Sequence, residues 1–165
     1  MLVKIIVEEN NLIEGTIIER SDLQFEILKC LCKKLKDNSG CVLIIDYGSE
    51  LGQVDTLQGM HKNKYCDFLA KPGEVDLTSH VNFELLNEFF KKNNLKVKKI
   101  MTQQDFLRNM GIIERAENIS KNMRFTEKTN LFLRLKRLMS HKLMGNLFKV
   151  ILTYKSKNNN YFGFN

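Results

Sequence analysis

Residues 21–48, SDLQFEILKCLCKKLKDNSGCVLIIDYG, constrain the fold of this chain more than any other stretch. Ser21 or Asp22 can cap a helix, and Phe25, Leu28, Leu31, Cys32 and Leu35 recur at helical spacing. Lys33, Lys34 and Lys36 suit the negative end of that helix, and Asn38-Ser39-Gly40 stops it. CVLIIDYG follows at once. It is a short apolar run with β-branched residues, the pattern of a strand buried on both faces. Helix, tight turn and buried strand make an α/β fold the expectation.

Downstream, about thirty residues after Gly48 show no sustained periodicity and read as a long loop, which in a compact domain needs a functional or partner-related reason. VNFELLNEFFKKNN is a helix with Asn82 as N-cap and a stripe of Phe83, Leu86, Phe89 and Phe90. LKVKKIM suits an edge strand, TQQDFLRNMGI a short helix closed by Gly111, and KTNLFLRLKRLMSHKLM a basic helix. GNLFKVILTYK reads as a last, alternating strand. The opening IIVEENNLIEGTIIER is at best a small hairpin, and KSKNNNYFGFN a frayed polar tail. The expected division is a domain over 1–154 and a tail over 155–165.

Composition narrows the class. A chain of 165 residues with 43% hydrophobic content can bury one real core. It has no apolar run of about 18 residues, and its start meets an acidic pair before a signal-like segment forms, so the expectation is a soluble cytoplasmic protein with no membrane contact. Cys30, Cys32, Cys41 and Cys66 form no CxxC pair and read as buried free thiols. With His61, His80 and His141 scattered, no metal set is recognisable. Net charge is uneven. Residues 1–90 carry 9 Lys and Arg against 15 Asp and Glu, whereas residues 91–165 carry 17 against 4. A basic half can face nucleic acid or an acidic partner, but no RNP-type run or recognition helix accompanies it, so nucleic-acid binding is the weaker reading.

A further set of words occurs in order. They are LIIDYG (43–48), DTLQ (55–58), PGExDLTxHV (72–81), Thr102-Gln103 with Phe106-Leu107, Gly111-Ile112, Arg115-Ala116 and MGxLFKV (144–150). Together they resemble the S-adenosylmethionine-dependent methyltransferase family that includes the mitochondrial complex I assembly arginine methyltransferase and its bacterial relatives. The resemblance runs from about residue 18 to 151. It implies a Rossmann-like class I methyltransferase sheet in which LIIDYG is the fifth strand, LKVKKIM the sixth and NLFKVILTY the final antiparallel one. The glycine-rich turn and the ribose-binding acid of that family's N-terminal half have no counterpart here. The expected fold is therefore the C-terminal half of the sheet, strands five to seven with their helices, without the cofactor-binding half.

What the resemblance implies for function follows. S-adenosylmethionine is the family's cofactor, yet the isolated chain is not expected to bind it. The expected role is a fragment or split subunit of a protein arginine methyltransferase, inactive without a separately encoded N-terminal half and acting on a protein substrate. A non-enzymatic remnant or interaction module is the alternative. An uncovered strand edge also makes a homo-oligomer possible.

Ligands of open parallel sheets bind beyond the carboxyl ends of the strands, which puts Asp46, Tyr47 and Gly48 at the mouth of a site. Orienting a guanidinium calls for carboxylates, which Asp46, Glu74 and Asp76 can supply, with Tyr47 or His80 as hydrogen-bonding or proton-accepting partners and Thr78 beside them. The competing reading makes Asp46-Tyr47 a strand-ending turn and has Asp76 and Thr78 satisfy their own loop. Asp55-Thr56-Leu57-Gln58 either caps a turn or lines the pocket.

Overall fold

A computed structural model describes residues 19, 21–50, 55–157 and 159–164. The hairpin expected over residues 5–20 lies outside the described residues, Glu19 apart. Helix α1 (Asp22–Asn38) starts where Ser21 Oγ accepts the Gln24 N–H at 3.3 Å, which settles the choice of cap. It ends at Ser39 and Gly40, whose φ angles of 61° and 121° turn the chain straight into β1 (Gly40–Ser49).

The segment expected to be a loop is instead a small antiparallel sheet. Its strands β2 (Gln58–His61), β3 (Lys64–Cys66) and β4 (Asp76–Thr78) lie in the order β3-β2-β4. Lys62 and Asn63 both take positive φ, 51° and 61°, as the two central residues of a tight hairpin of matching twist must. Strands of three or four residues are too short for an alternation to stand out.

The chain then crosses to β5 (Val81–Asn82) and α2 (Phe83–Lys92), where Asn82 Oδ1 accepts the Leu85 N–H at 2.9 Å, as its N-cap position predicts. LKVKKIM is two short ladders, β6 (Lys96–Val97) and β7 (Met101–Thr102). Helices α3 (Gln103–Asn109), α4 (Ile112–Ser120), α5 (Phe125–Met139) and α6 (Met144–Leu147) precede β8 (Phe148–Lys155). The main sheet runs β5-β1-β8-β6, with β7 also on β8. Only β5 is parallel to β1; β8 is antiparallel to β1, β6 and β7.

The core sits on one face of this sheet. Leu28, Cys32 and Leu35 of α1 and Phe83, Leu86 and Phe90 of α2 pack with Ile151 of β8, and Val42 and Ile44 of β1 lean on them. The opposite face is covered unevenly. Over β8, where α3 and α6 pack, Val150 and Leu152 are buried. On β1 Leu43 and Ile45 remain 45% and 44% exposed. The expectation of a strand buried on both faces is thus corrected for β1, because among the described residues no helix lies over that part of the sheet. It applies to β8 instead, where five consecutive residues, Val150 to Tyr154, are buried rather than alternating. Thr153 is tolerated there because its hydroxyl donates to the Lys96 carbonyl at 3.1 Å.

Two further expectations change. The tail packs: the Tyr161 and Tyr154 rings meet tilted with centroids 4.8 Å apart, Phe164 meets Phe106 at 5.4 Å, and Asn109 Nδ2 donates to the Gly163 carbonyl at 3.1 Å. Of the four thiols only Cys32 is buried, whereas Cys30 and Cys41 are exposed and Cys66 is intermediate. Positions 30 and 32 lie on different sides of α1, and Cys41 lies on the open face of β1 with Leu43.

Phe90 is fully buried between α2 and the sheet, so Phe90→Ala should cost about 3–5 kcal/mol in urea unfolding. A loss below about 1 kcal/mol would mean that α2 is not seated there. Burial pushes the Cys32 thiol up, partly offset by Lys36. With its folded pKa raised, its stabilisation is complete below the unfolded value of about 8.5 and is lost as pH rises through the folded value. Maleimide should accordingly label Cys30 and Cys41 in the native protein at neutral pH, and Cys32 only after unfolding. Native labelling of Cys32 would contradict the core described here.

Candidate functional site

The carboxyl end of β1 opens into a cavity of about 300 Å3. Its walls come from three places: Asp46 and Tyr47 of β1, the first turns of α1 and α2, and the chain from Leu77 to Asn82. The termini of two helices converge here because β1 and β5 run parallel, so α2 begins beside the turn that precedes α1. Their first-turn N–H groups favour negative charge nearby.

Asp46 accepts the Tyr47 N–H through Oδ1 at 2.8 Å, and its Oδ2 has no protein donor among the described residues. The Tyr47 ring is held edge-on by two neighbours, His80 at 5.7 Å and Phe148 at 5.8 Å between centroids. Phe148 is its direct partner in the β1–β8 ladder. Gly48 follows because there is no room for a side chain. A Cβ there would stand 2.2 Å from the Val81 carbonyl oxygen and 2.8 Å from the Phe83 ring.

A polar link supports the His80 side. Thr56, buried to 7% exposure, donates its N–H to Glu19 Oε1 at 2.7 Å and its hydroxyl to Glu19 Oε2, while its hydroxyl oxygen accepts the His80 N–H at 2.8 Å. Glu19 and His80 are thereby fixed across 61 residues of sequence.

Of the residues singled out from sequence, Asp46, Tyr47, Thr78 and His80 line this cavity, and Gly48 lies beside it in the strand. Glu74 and Asp76 are exposed and do not line it. Glu74 sits in the turn after Lys71, where its N–H bonds the Lys71 carbonyl at 3.0 Å and its own carbonyl lies 3.2 Å from His61 Nδ1. Asp76 is on β4, opposite Met60. Thr56 answers the question left by DTLQ: it braces the wall. Glu19 was not legible, since nothing local marks a glutamate whose partner is 37 residues away.

The Asp46 carboxylate can orient a cationic group at the cavity. Gly48 is closed over by Val81 and Phe83, so its backbone cannot receive a ligand as the glycines of a nucleotide-binding turn do.

Solved structures place this α/β sheet with methyltransferases. A Burkholderia thailandensis structure bound to S-adenosyl-homocysteine matches 91% of this chain with a TM-score of 0.72 at 25% identity, and a native crystal structure from the same organism matches 92% with a TM-score of 0.69. Residues 2–101 match the family model described as "Putative S-adenosyl-L-methionine-dependent methyltransferase", and the chain belongs to that family. Relatives include the mitochondrial protein arginine methyltransferase NDUFAF7 of Homo sapiens, 31% identical over 123 residues, and that of Xenopus tropicalis, 28% identical over 130 residues. Each alignment covers 74% of this chain but only 28% and 29% of the relative. The solved structures are likewise covered to 40%.

Thr56→Val should remove two hydrogen bonds at almost constant volume and leave the His80 N–H and a Glu19 oxygen unpaired. The expected loss is about 1–3 kcal/mol, with faster hydrogen exchange at the His80 amide. Unchanged exchange there would show that Thr56 does not brace the wall.

Proposed function

We propose that this chain forms the substrate-facing part of an S-adenosylmethionine-dependent protein arginine methyltransferase and works with a further segment that carries the cofactor pocket. The observation that carries the reading is the unfinished surroundings of β1. One edge of β1 is laddered along its length to β8, whereas among the described residues its other edge is paired only at Gly48 and Ser49. The open face of the same strand presents Leu43 and Ile45. Apolar strand residues beside an open edge suit a continuing sheet. The strand so exposed is the one that ends in Asp46 and Tyr47.

When bound by such an assembly, the cofactor would supply an electrophilic methyl group. The residues of this chain would do the rest on the acceptor side. Asp46 Oδ2 accepts guanidinium N–H bonds, and Tyr47, on the other face of the strand, is pinned by His80 and Phe148 and so steadies the strand end that presents Asp46. Alignment and water exclusion are what methyl transfer needs most. Glu74, in the turn before β4, and Asp76, on β4, belong to recognition of the surrounding protein rather than to the reacting group. A homo-oligomer that covers Leu43 and Ile45 is the second reading, favoured by that same exposed pair.

The test is to co-express the chain with the cofactor-binding portion of the Burkholderia thailandensis relative and follow S-adenosylmethionine binding by calorimetry and methyl transfer to an arginine peptide. The chain alone should not bind, the assembly should bind and transfer, and Asp46→Asn should lower transfer about 10- to 100-fold without preventing assembly. Micromolar binding by the chain alone would overturn the division of labour, and full transfer by Asp46→Asn would overturn the role of Asp46. A dimer in sedimentation that Leu43→Lys disperses, with no assembly formed, would favour the second reading.

A further inference from the structure

Away from the cavity, α4 and α5 enclose a groove of about 160 Å3. Its floor is Ala116, 4% exposed, and its walls include Ile112 and Ile119 of α4 and Leu131 and Leu135 of α5. The small residue makes the hollow: any longer side chain at position 116 would fill it. None of the fifteen residues of α5 is buried, although seven of them are apolar. Ile119 on the groove wall is 44% exposed. On the groove side Leu131, Leu135 and Leu138 are only half-buried, so that face has apolar surface left to cover.

Charge decides what fits. Arg115 and Arg134 rim the groove from opposite helices, and among the described residues neither guanidinium has an ion-pair partner. At helical spacing Glu114 and Glu117 fall on the other side of α4 from Ile112, Arg115, Ala116 and Ile119. Glu127, the sole carboxylate of α5, is held by Arg124 at 2.9 Å. The groove is therefore apolar at its floor, cationic at both rims and free of competing acids.

We propose that this groove docks an acidic amphipathic helix of a partner protein. Such a helix places an apolar row over Ala116 and carboxylates on each flank toward Arg115 and Arg134. A nucleic acid would satisfy the arginines but has nothing to put against Ile112, Ile119, Leu131 and Leu135. A second copy meeting itself at this face would set the same arginines against each other. The inference is independent of the proposed methyl-transfer role.

The probe is a fluorescein-labelled 16-residue helical peptide with leucine at i, i+3, i+4 and i+7 and glutamate on both flanks, compared by anisotropy with its lysine counterpart and with an oligo-uridine. The glutamate peptide should bind the full chain at least tenfold tighter than either alternative. Ala116→Trp should weaken it at least tenfold, and Arg115→Glu with Arg134→Glu should exchange the preference to the lysine peptide. That exchange distinguishes a docking defect from a folding one, since a misfolded variant would bind neither. Equal affinity for the two peptides, tighter binding of oligo-uridine, insensitivity to Ala116→Trp, no binding at millimolar peptide, or a self-dimer that Ala116→Trp dissolves would each overturn the proposal.

Discussion

The antiparallel ladder between β1 and β8 is the constraint on which the rest depends. Eight residue pairs, from Gly40 with Lys155 to Tyr47 with Phe148, join the start of the described fold to its end. With β8 in place, a shift of β1 by one residue would turn Val42 and Ile44 away from α1 and α2 and bring Leu43 and Ile45 under them. The same register sets Tyr47 against Phe148 at the mouth of the cavity. Core and site are thus positioned by one set of backbone hydrogen bonds. This also explains why Thr153 can be buried in the central strand: its position in the ladder brings its hydroxyl to the Lys96 carbonyl.

Elements were legible where a local pattern was strong. The spacing of Phe25, Leu28, Cys32 and Leu35, the Asn82 cap and the stripe through Phe83, Leu86 and Phe90 each carry their own physical signature, and all appear in place. Legibility failed where contacts were non-local or segments short. The three-residue strands β3 and β4 show no periodicity, and the C-terminal aromatics read as part of a polar tail until Phe106 and Tyr154 are brought to them. Helix α4 was not anticipated, because its apolar positions, Ile112, Ala116 and Ile119, are few and its sequence is otherwise charged.

The two apolar strands show why burial is harder to read than secondary structure. LIIDYG and FKVILTY are both short runs of branched apolar residues, and each could be covered on one face or two. Composition cannot separate them, since the difference lies in what packs above each strand. Over β8, α3 and α6 supply that cover; over β1 it is partial, and Leu43 and Ile45 stay 45% and 44% exposed. An apolar strand half-covered in this way is a statement about a neighbour as much as about the chain itself.

The candidate site divides along the same line. Asp46 and Tyr47 were legible as cavity-lining residues because strand ends in α/β sheets gather ligands, which needs only the strand to be recognised, whereas His80 came from the word PGExDLTxHV. Glu74 and Asp76 belong to the same motif words but lie in the turn before β4 and at the start of β4, outside the cavity. Motif membership therefore did not measure distance from the site; register did. Thr56 and Glu19 make the converse case. Neither carries a chemical signature of its own, yet their paired hydrogen bonds hold the backbone at His80, and through it the edge-on contact that fixes the Tyr47 ring.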